Sequence, residues 1–368
     1  MTSLVGTLRE DWPGVYAKVS VGLDLDRLAR DTGALLRCRG IKNAESLLRL
    51  ALVTGPGGMS RREAVTWAEL LDIAHLTDPS LNDRLHQSCD FLKAIINHLL
   101  AAKAAMPGMD CAGRVMRIAD GTSLSQPGSK GTDWRIHAVY DLDRGGFSHL
   151  EVTDKHGAEG LSRGAAVAGE IRIADRGFSQ AKAIRHFIQS GGTEADTDVI
   201  VRLRWQSLRL QDANGQTLNM IDILQGLPEE TRIADVPAWV NDGDGRPPFK
   251  IRLVILRKTQ EATEATRADL RQRASRKQRK LDERSLIAAE YIVLATSLSK
   301  EIYSGEQILA LYRLRWQIEL AFKRLKSLLN IGNIPTKTKE GTQSWIYSHL
   351  ILALLVDDLS QDFLEFSP

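Results

Sequence analysis

The sequence predicts an α/β protein, a mixed sheet preceded by a helical segment. Three observations carry that expectation. Residues 1 to about 105 place apolar side chains at three- and four-residue spacing; short β-branched runs separated by glycine-bearing turns begin near residue 114; the helical period returns after residue 304. The 368 residues, 43% hydrophobic and 26% charged, suffice for two or three domains with an ordinary soluble core.

The helical segment comes first. "LDRLARDTGALLRCRGI" and "NAESLLRLALV" carry the helical period, and "GPGG" interrupts it. Ser60 and Glu63 form a capping box that opens "RREAVTWAELLDIAHL", and "TDPS" then caps "LNDRLHQSCDFLKAIINHLL" with Pro79 in its first turn. Two helices about a short turn have the outline of a helix-turn-helix, and of a plain helical bundle equally; Arg84, His86 and Gln87 are too few to establish groove reading.

Strands follow. "RVMRIAD", "WRIHAVYDL", "FSHLEVTD", "EIRIAD" and "DVIVRLRW" are short and β-branched, with a helix, "FSQAKAIRHFIQSG", after the fourth. Three strands, a crossover, a fourth strand and a helix is the chain order of a ribonuclease-H-like mixed sheet, and of other mixed α/β folds. Residues 205 to about 260 read as an all-β insertion, with a hairpin turning at Asn214-Gly215 and a strand "FKIRLVILR". A basic helix over 267–284 and the strand "YIVLATSL" come next. One long helix, "GEQILALYRLRWQIELAFKRLKSLLN", is then capped by Ser304 with Gln307. The expected division is 1–105 helical, 106–204 first part of the core, 205–298 insertion with its basic helix, 299–348 last core helix, and 349–368 the start of a further helical region that ends abruptly.

Charge and cysteine usage narrow the setting. A net charge of +3 does not by itself imply a nucleic-acid partner, but residues 267–284 hold eight of the 49 Lys and Arg, either a solvated helix face or a phosphate track. Cys38, Cys89 and Cys111 lack metal-ligand spacing and read as reduced thiols. "MTSLVGTLREDWPG" has no signal-peptide pattern and no apolar run reaches membrane-spanning length, so a cytoplasmic protein without a membrane partner is expected.

The tetrapeptide "RIAD" occurs at 117–120, 172–175 and 232–235, and no similarity extends beyond it, so there is no internal duplication. Strand alternation puts Met116, Ile118 and Asp120 on one face, and Ile171, Ile173 and Asp175 likewise. Each of these two aspartates closes an apolar run at a strand's end, where a glycine turn follows. A carboxylate there is costly unless paired or metal-bound, and two of them favour a metal site over turn-forming aspartates. Asp235 runs into Val-Pro and keeps the bland reading. On the long helix, Tyr312, Arg315, Glu319 and Lys326 fall within about a 60° arc. Leu311, Leu314, Ile318, Ala321, Leu325 and Leu328 form a separate apolar stripe. A solvated face with Glu319 between Arg315 and Lys323 explains the charges but leaves Tyr312 without a role.

The spacing Tyr-x2-Arg-x3-Glu-x6-Lys, within "LYRLRWQIELAFKRLKSLL", together with "ADGT" and "ADRGF" around the two aspartates, resembles the DDE transposases of insertion-sequence family four. The resemblance covers most of the chain, to about residue 350. It implies a ribonuclease-H-like mixed sheet with an all-β insertion between the second and third acids, preceded by a helical DNA-binding domain. It implies Asp120, Asp175 and Glu319 as catalytic triad and metal ligands for two Mg²⁺ ions, with Mn²⁺ able to substitute. Tyr312, Arg315 and Lys326 would bind DNA phosphates, and Arg176 is a further candidate for such a contact.

The implied reaction is cut-and-paste DNA transposition. Transposon-end and target duplexes are its partners, a homodimer forms on paired ends, and the setting is the bacterial cytoplasm, at the nucleoid when bound. Two rivals stay open: a C-terminally truncated, catalytically impaired remnant that only binds transposon ends, and a nuclease of the same fold without joining. Trp205, Trp239 and Trp316 are available to stack on a flipped base, though each reads more readily as core. His137, inside an expected strand, reads as a core or sheet-face residue.

Overall fold

The computed structural model describes residues 12–104, 113–190, 197–327 and 330–365. Cys111, Leu328 and the first eleven residues lie outside them. The N-terminal part is helical as expected: α1 Trp12–Ser20, α2 Leu25–Asp31, α3 Ala44–Thr54, α4 Arg61–Leu70, α5 Asp78–Gln87 and α6 Cys89–Ala104. The α4 capping box is present in both directions, and Thr77 caps α5 with Pro79 in its first turn. The stretch expected as one helix after Pro79 is two, divided at Ser88. That residue is buried and turns its hydroxyl back onto the Leu85 carbonyl at 2.7 Å.

The strands are β1 Val115–Leu124, β2 Trp134–Asp141, β3 Gly146–Asp154, β4 Glu170–Ala174 and β5 Asp198–Arg202, with α7 Ala181–Gln189 between the last two. Then come β6 Arg209–Gln211, β7 Thr217–Leu218, α8 Met220–Gln225, β8 Ile233–Asn241, β9 Phe249–Arg257, α9 Gln260–Arg276, α10 Glu283–Ala288 and β10 Tyr291–Thr296. The chain finishes with α11 Gly305–Arg313, α12 Trp316–Ser327 and α13 Lys339–Glu365.

All ten strands make one sheet, in the order β3-β2-β1-β4-β5-β10-β9-β8-β6-β7. The pairs β1–β4 and β4–β5 are parallel and the remaining pairs antiparallel. The first five strands have the order expected of a ribonuclease-H-like sheet. The others extend it past β5.

Three expectations need correction. The insertion is not all-β: it holds α8, α9 and α10, of which α8 and α10 pack on its sheet, and Leu224 and Ile221 of α8 are buried in one core with Val240, Leu253 and Val293. A sheet with an apolar face must be covered, and here helices do it. The basic helix runs from Gln260 to Arg276 rather than 267–284. Thr259 caps its start, and Gln278, at a φ of +49°, turns the chain out beyond its end. The long helix after Ser304 is also two. Amide bonds from Leu314 to Leu311 (3.1 Å), Arg315 to Tyr312 (3.1 Å) and Gln317 to Leu314 (3.0 Å) are of the 3₁₀ type and tighten the turn at Leu314 and Arg315 that divides the two helices.

One hydrophobic core joins the two ends of the chain. Phe91, Leu92 and Ile95 of α6 and Leu47, Leu50 and Leu52 of α3 share it with Ile346, Leu350 and Leu354 of α13, and with Ile118, Ile136 and Ile173 on the near face of the sheet. A smaller core under α7 joins Phe178, Ile184 and Phe187 to Val199 and Val201 on the far face. Among the described residues no helix is long and apolar enough to cross a membrane.

Candidate active site

The first two RIAD copies lie side by side. Parallel pairing of β1 with β4 sets Arg117 against Arg172, Ile118 against Ile173 and Ala119 against Ala174. The arginines point to one face and the isoleucines to the other. Each arginine reaches Glu170: Arg172 Nε at 2.6 Å and Arg117 Nη1 at 3.6 Å, while Arg117 Nε also meets Asp141 at 3.1 Å. Arg172 and Glu170 are fully buried, so this charge cluster survives only because its members are mutually paired. Arg172 further donates to the carbonyls of Leu161 (2.7 Å), Arg163 (3.2 Å), Gly164 (3.0 Å) and Ala165 (3.4 Å), fastening the β3–β4 crossover to the sheet.

Asp120 and Asp175 follow directly. Parallel pairing stops at Ala119 and Ala174, so the two carboxylates stand next to one another where the strands part. The expectation that both precede a turn holds for Asp175, which opens a 3₁₀ turn over Arg176–Phe178. It fails for Asp120, because β1 continues to Leu124 and Asp120 pairs with Ala138 on β2. Gly121 serves close approach instead: a Cβ there would lie 3.2 Å from Oε1 of Glu159 in the crossover loop. A Cβ at Gly177 would collide with Oε2 of the same residue.

The helical side arrives from α11 and α12. Tyr312 is 9% exposed, and its hydroxyl donates to Asp175 Oδ1 at 3.1 Å. Residues three apart eclipse in a 3₁₀ turn, which stacks Arg315 over the Tyr312 ring at 5.8 Å from its centroid. Arg315 bridges the acids, with Nη2 to Glu319 Oε1 at 2.6 Å and Nη1 to Asp120 Oδ2 at 3.9 Å. The Glu319 side chain remains 55% exposed. Lys323 and Lys326 are exposed beside it, and both line a small open cleft with Asp120, Thr122 and Glu319.

A larger cleft of about 610 Å³ opens on the other side of the aspartates, lined by Asp120, Glu159, Asp175, Arg176, Trp205 and Arg273 among others. Burial pushes Asp120 up to about 6, and the neighbouring Glu159 and Asp175 add to it, against pulls from the Gly121 amide and Arg315. Asp175 moves the other way. Burial acts on it too, but the Arg176 amide, Arg315, Arg202 and the Tyr312 hydroxyl together outweigh it. Burial and the Asp175 charge push Tyr312 up to about 12, so it stays a hydroxyl donor. Neighbouring carboxylates with pKa values driven apart are an arrangement that acid–base and metal sites use. Burial and Arg202 lower Arg176, whose Nε is buried without a hydrogen-bond partner among the described residues.

The acids suit a divalent cation of hard character. The side chains around Asp120 and Asp175 offer carboxylate oxygens, which favour Mg²⁺ or Mn²⁺ over zinc. Gly121 and Gly177 leave room for a further carboxylate, that of Glu159, which a Cβ at either position would crowd. Yet among the described residues no three acids, histidines or cysteines stand close enough to hold one ion together. Like charges repel, and Arg315 holds Glu319 away from the aspartate pair.

Other residues expected to matter, or not to, lie around this centre. Asp235 on β8 pairs with Arg252 at 2.8 Å, away from the acids, as the bland reading has it. His137 is 2% exposed on β2, with Nε2 2.9 Å from Thr153 Oγ1. Burial drops it to about 4, so it is neutral. Trp205 is half-buried in the large cleft, its Nε1 donating to Ser285 Oγ at 3.3 Å and its ring under Arg284. Trp239 is half-buried, whereas Trp316 is 49% exposed, because the 3₁₀ turn swings it out of the core. Glu159, Arg202 and Arg204 were not singled out from the sequence. The pair Arg202-x-Arg204 ending a β-branched strand was a signal for the last two; Glu159 had none.

The matching family model, described as a transposase DDE domain, spans residues 112–355. The transposase for insertion sequence element IS421 from Escherichia coli is 39% identical over 363 residues, 98% of this chain and 96% of that protein. The InsL protein for insertion sequence element IS186A of Escherichia coli strain K12 is 40% identical over 362 residues, again 98% and 96%. A cryo-EM structure of piggyBac transposase in a synaptic complex with hairpin DNA aligns at a TM-score of 0.40 and 10% identity, over 86% of this chain and 65% of that one. A family model over most of the chain, and relatives at 40% identity along nearly all of it, show that the chain belongs to the DDE transposases of insertion-sequence family four.

Proposed function

We propose that this chain carries out DNA transposition by cutting at transposon ends and joining the freed 3′-OH to target DNA, with Asp120, Asp175 and Glu319 as its catalytic acids. The observation that carries the reading is the in-register parallel pairing that stands Asp120 beside Asp175, with Glu319 linked to Asp120 through Arg315.

Asp120 and Asp175 would hold a divalent cation such as Mg²⁺ from the sheet side, and Glu319, which lines a cleft with Asp120, would supply the third acid from α12. A pair of such ions supplies charge stabilisation at the attacking and leaving oxygens of an in-line phosphoryl transfer. The chain's own residues do the rest. Tyr312 fixes the Asp175 carboxylate through its hydroxyl. Arg315 offsets the acids' repulsion and, with Lys323 and Lys326 at the open cleft, meets the phosphate backbone. Arg176, joined by Arg202 and Arg204 at the end of β5, makes the positive wall on the opposite side. The larger cleft, about 610 Å³ with Trp205 in its lining, is where a base turned out of the stack would be received.

This reading makes the N-terminal helical segment a DNA-binding domain, places the protein in the bacterial cytoplasm at the nucleoid when bound, and pairs two copies on two ends. The test is cleavage and strand transfer on a transposon-end duplex with Mg²⁺ or Mn²⁺. Asp120→Ala should abolish both while end binding persists. Cleavage retained by that variant removes Asp120 from the triad; cut ends without joined products favour a nuclease, and binding without nicking by the wild type favours a remnant.

A further inference from the structure

We propose that Glu159 is an outer acid of the same site, holding through water the divalent cation that Asp120 and Asp175 bind. The inference rests on the cation-dependent reading above. Glu159 lies in the crossover between β3 and β4, far in sequence from the signature residues.

Four observations place it. Its two carboxylate oxygens face the glycines that follow the two aspartates, Oε1 towards Gly121 and Oε2 towards Gly177, where a Cβ would press on the first and displace the second. It lines the large cleft together with Asp120 and Asp175. The loop that carries it is fastened from several sides. Gln180 Nε2 donates to the Glu159 carbonyl at 3.4 Å and the Gly177 carbonyl at 2.6 Å, Arg163 Nε to the Ala158 carbonyl at 2.7 Å, and Arg172 to the carbonyls of Leu161, Arg163, Gly164 and Ala165. The carboxylate itself has no hydrogen-bond or ion-pair partner among the described residues.

A negative group held so firmly beside two others is unfavourable for the protein alone, and it does no bracing of its own. Hydrogen bonds from the hydration shell of a divalent cation would satisfy it. Mg²⁺ sheds its water reluctantly, so outer carboxylates commonly orient that shell.

The test is a Mn²⁺ titration of the full chain read by electron paramagnetic resonance of the free ion, with ion-free thermal melting as the folding check. Glu159→Gln should weaken Mn²⁺ binding about tenfold or more, the range shown by outer-shell partners elsewhere, without lowering the ion-free midpoint. Gly177→Ala, whose methyl would displace the carboxylate without changing charge, should give the same loss. If Glu159→Gln fails to fold, Gly177→Ala decides alone. Wild-type affinity in the folded variant overturns the proposal while leaving the catalytic acids in place. Wild-type protein that binds no Mn²⁺ overturns the catalytic reading, and this inference with it.

Discussion

The tetrapeptide Arg-Ile-Ala-Asp builds different things at residues 172–175 and 232–235. In β4 its arginine is fully buried against Glu170 and a fan of carbonyls, and its aspartate emerges past the strand's end into a cleft. At β8 its arginine lies exposed just before the strand, and its aspartate pairs with Arg252 of the neighbouring strand at 2.8 Å. The four residues are the same; the strand's place in the sheet and the chain beyond the aspartate differ. Asp175 is free for chemistry because β4 ends before it and the chain turns into a cleft, whereas Asp235 is spent on an arginine of the strand it pairs with.

The strongest break in that comparison lies in the arginines. Arg172→Ala should cost about 3–5 kcal/mol, since it strands Glu170 in the core and frees the crossover. Arg232→Ala should leave the urea midpoint where it is. Comparable losses from the two would mean that burial does not separate the copies.

The aspartates should differ in sign. Asp120, the carboxylate of the first copy, is pushed up to about 6 by burial, against 3.8 ordinarily. The folded state therefore keeps a proton that the unfolded chain releases, and stability falls as pH climbs from about 4 to about 6. Without divalent cation, Asp120→Asn should stabilise by on the order of 3 kcal/mol at pH 7.5, and the gain should vanish below about pH 4. Asp235→Asn should instead destabilise by about 1–3 kcal/mol at neutral pH, because Arg252 is left buried without its counter-charge. Urea melts across pH read both; a loss from Asp120→Asn at pH 7.5 would contradict the electrostatic account.

A smaller effect sharpens the picture at β4 alone. Tyr312→Phe removes one hydroxyl donor to a charged acceptor and should cost about 1.5 kcal/mol. No change in the melt would show that the hydrogen bond to Asp175 has no net weight.

The sequence made the aspartates visible for a reason that the structure repeats: strand alternation tied each to its isoleucine, and matching tetrapeptides suit matching register. The Tyr-Arg-Glu-Lys spacing was equally legible, but its geometry was not. A uniform helix spreads those four along one stripe, whereas the 3₁₀ turn, which no proline or glycine announces, tucks Tyr312 inward and throws Trp316 outward. Gly121 read as a turn because Asp-Gly usually is one; only the folded crossover shows that the missing side chain makes room for Glu159. β8 was hidden by Pro237, which nonetheless takes its place opposite Arg252. Long-range proximity of this kind leaves no trace in local pattern.

The seam between β5 and β10 has a mechanical consequence. Antiparallel pairing from Leu294–Arg202 through Thr296–Ile200 stitches the inserted strands straight onto the strand next to β4. The insertion is therefore a cantilever cast in one piece with its wall rather than a flap on a hinge. Any load on its outer strands reaches the strand of Asp175 only through β10 and β5.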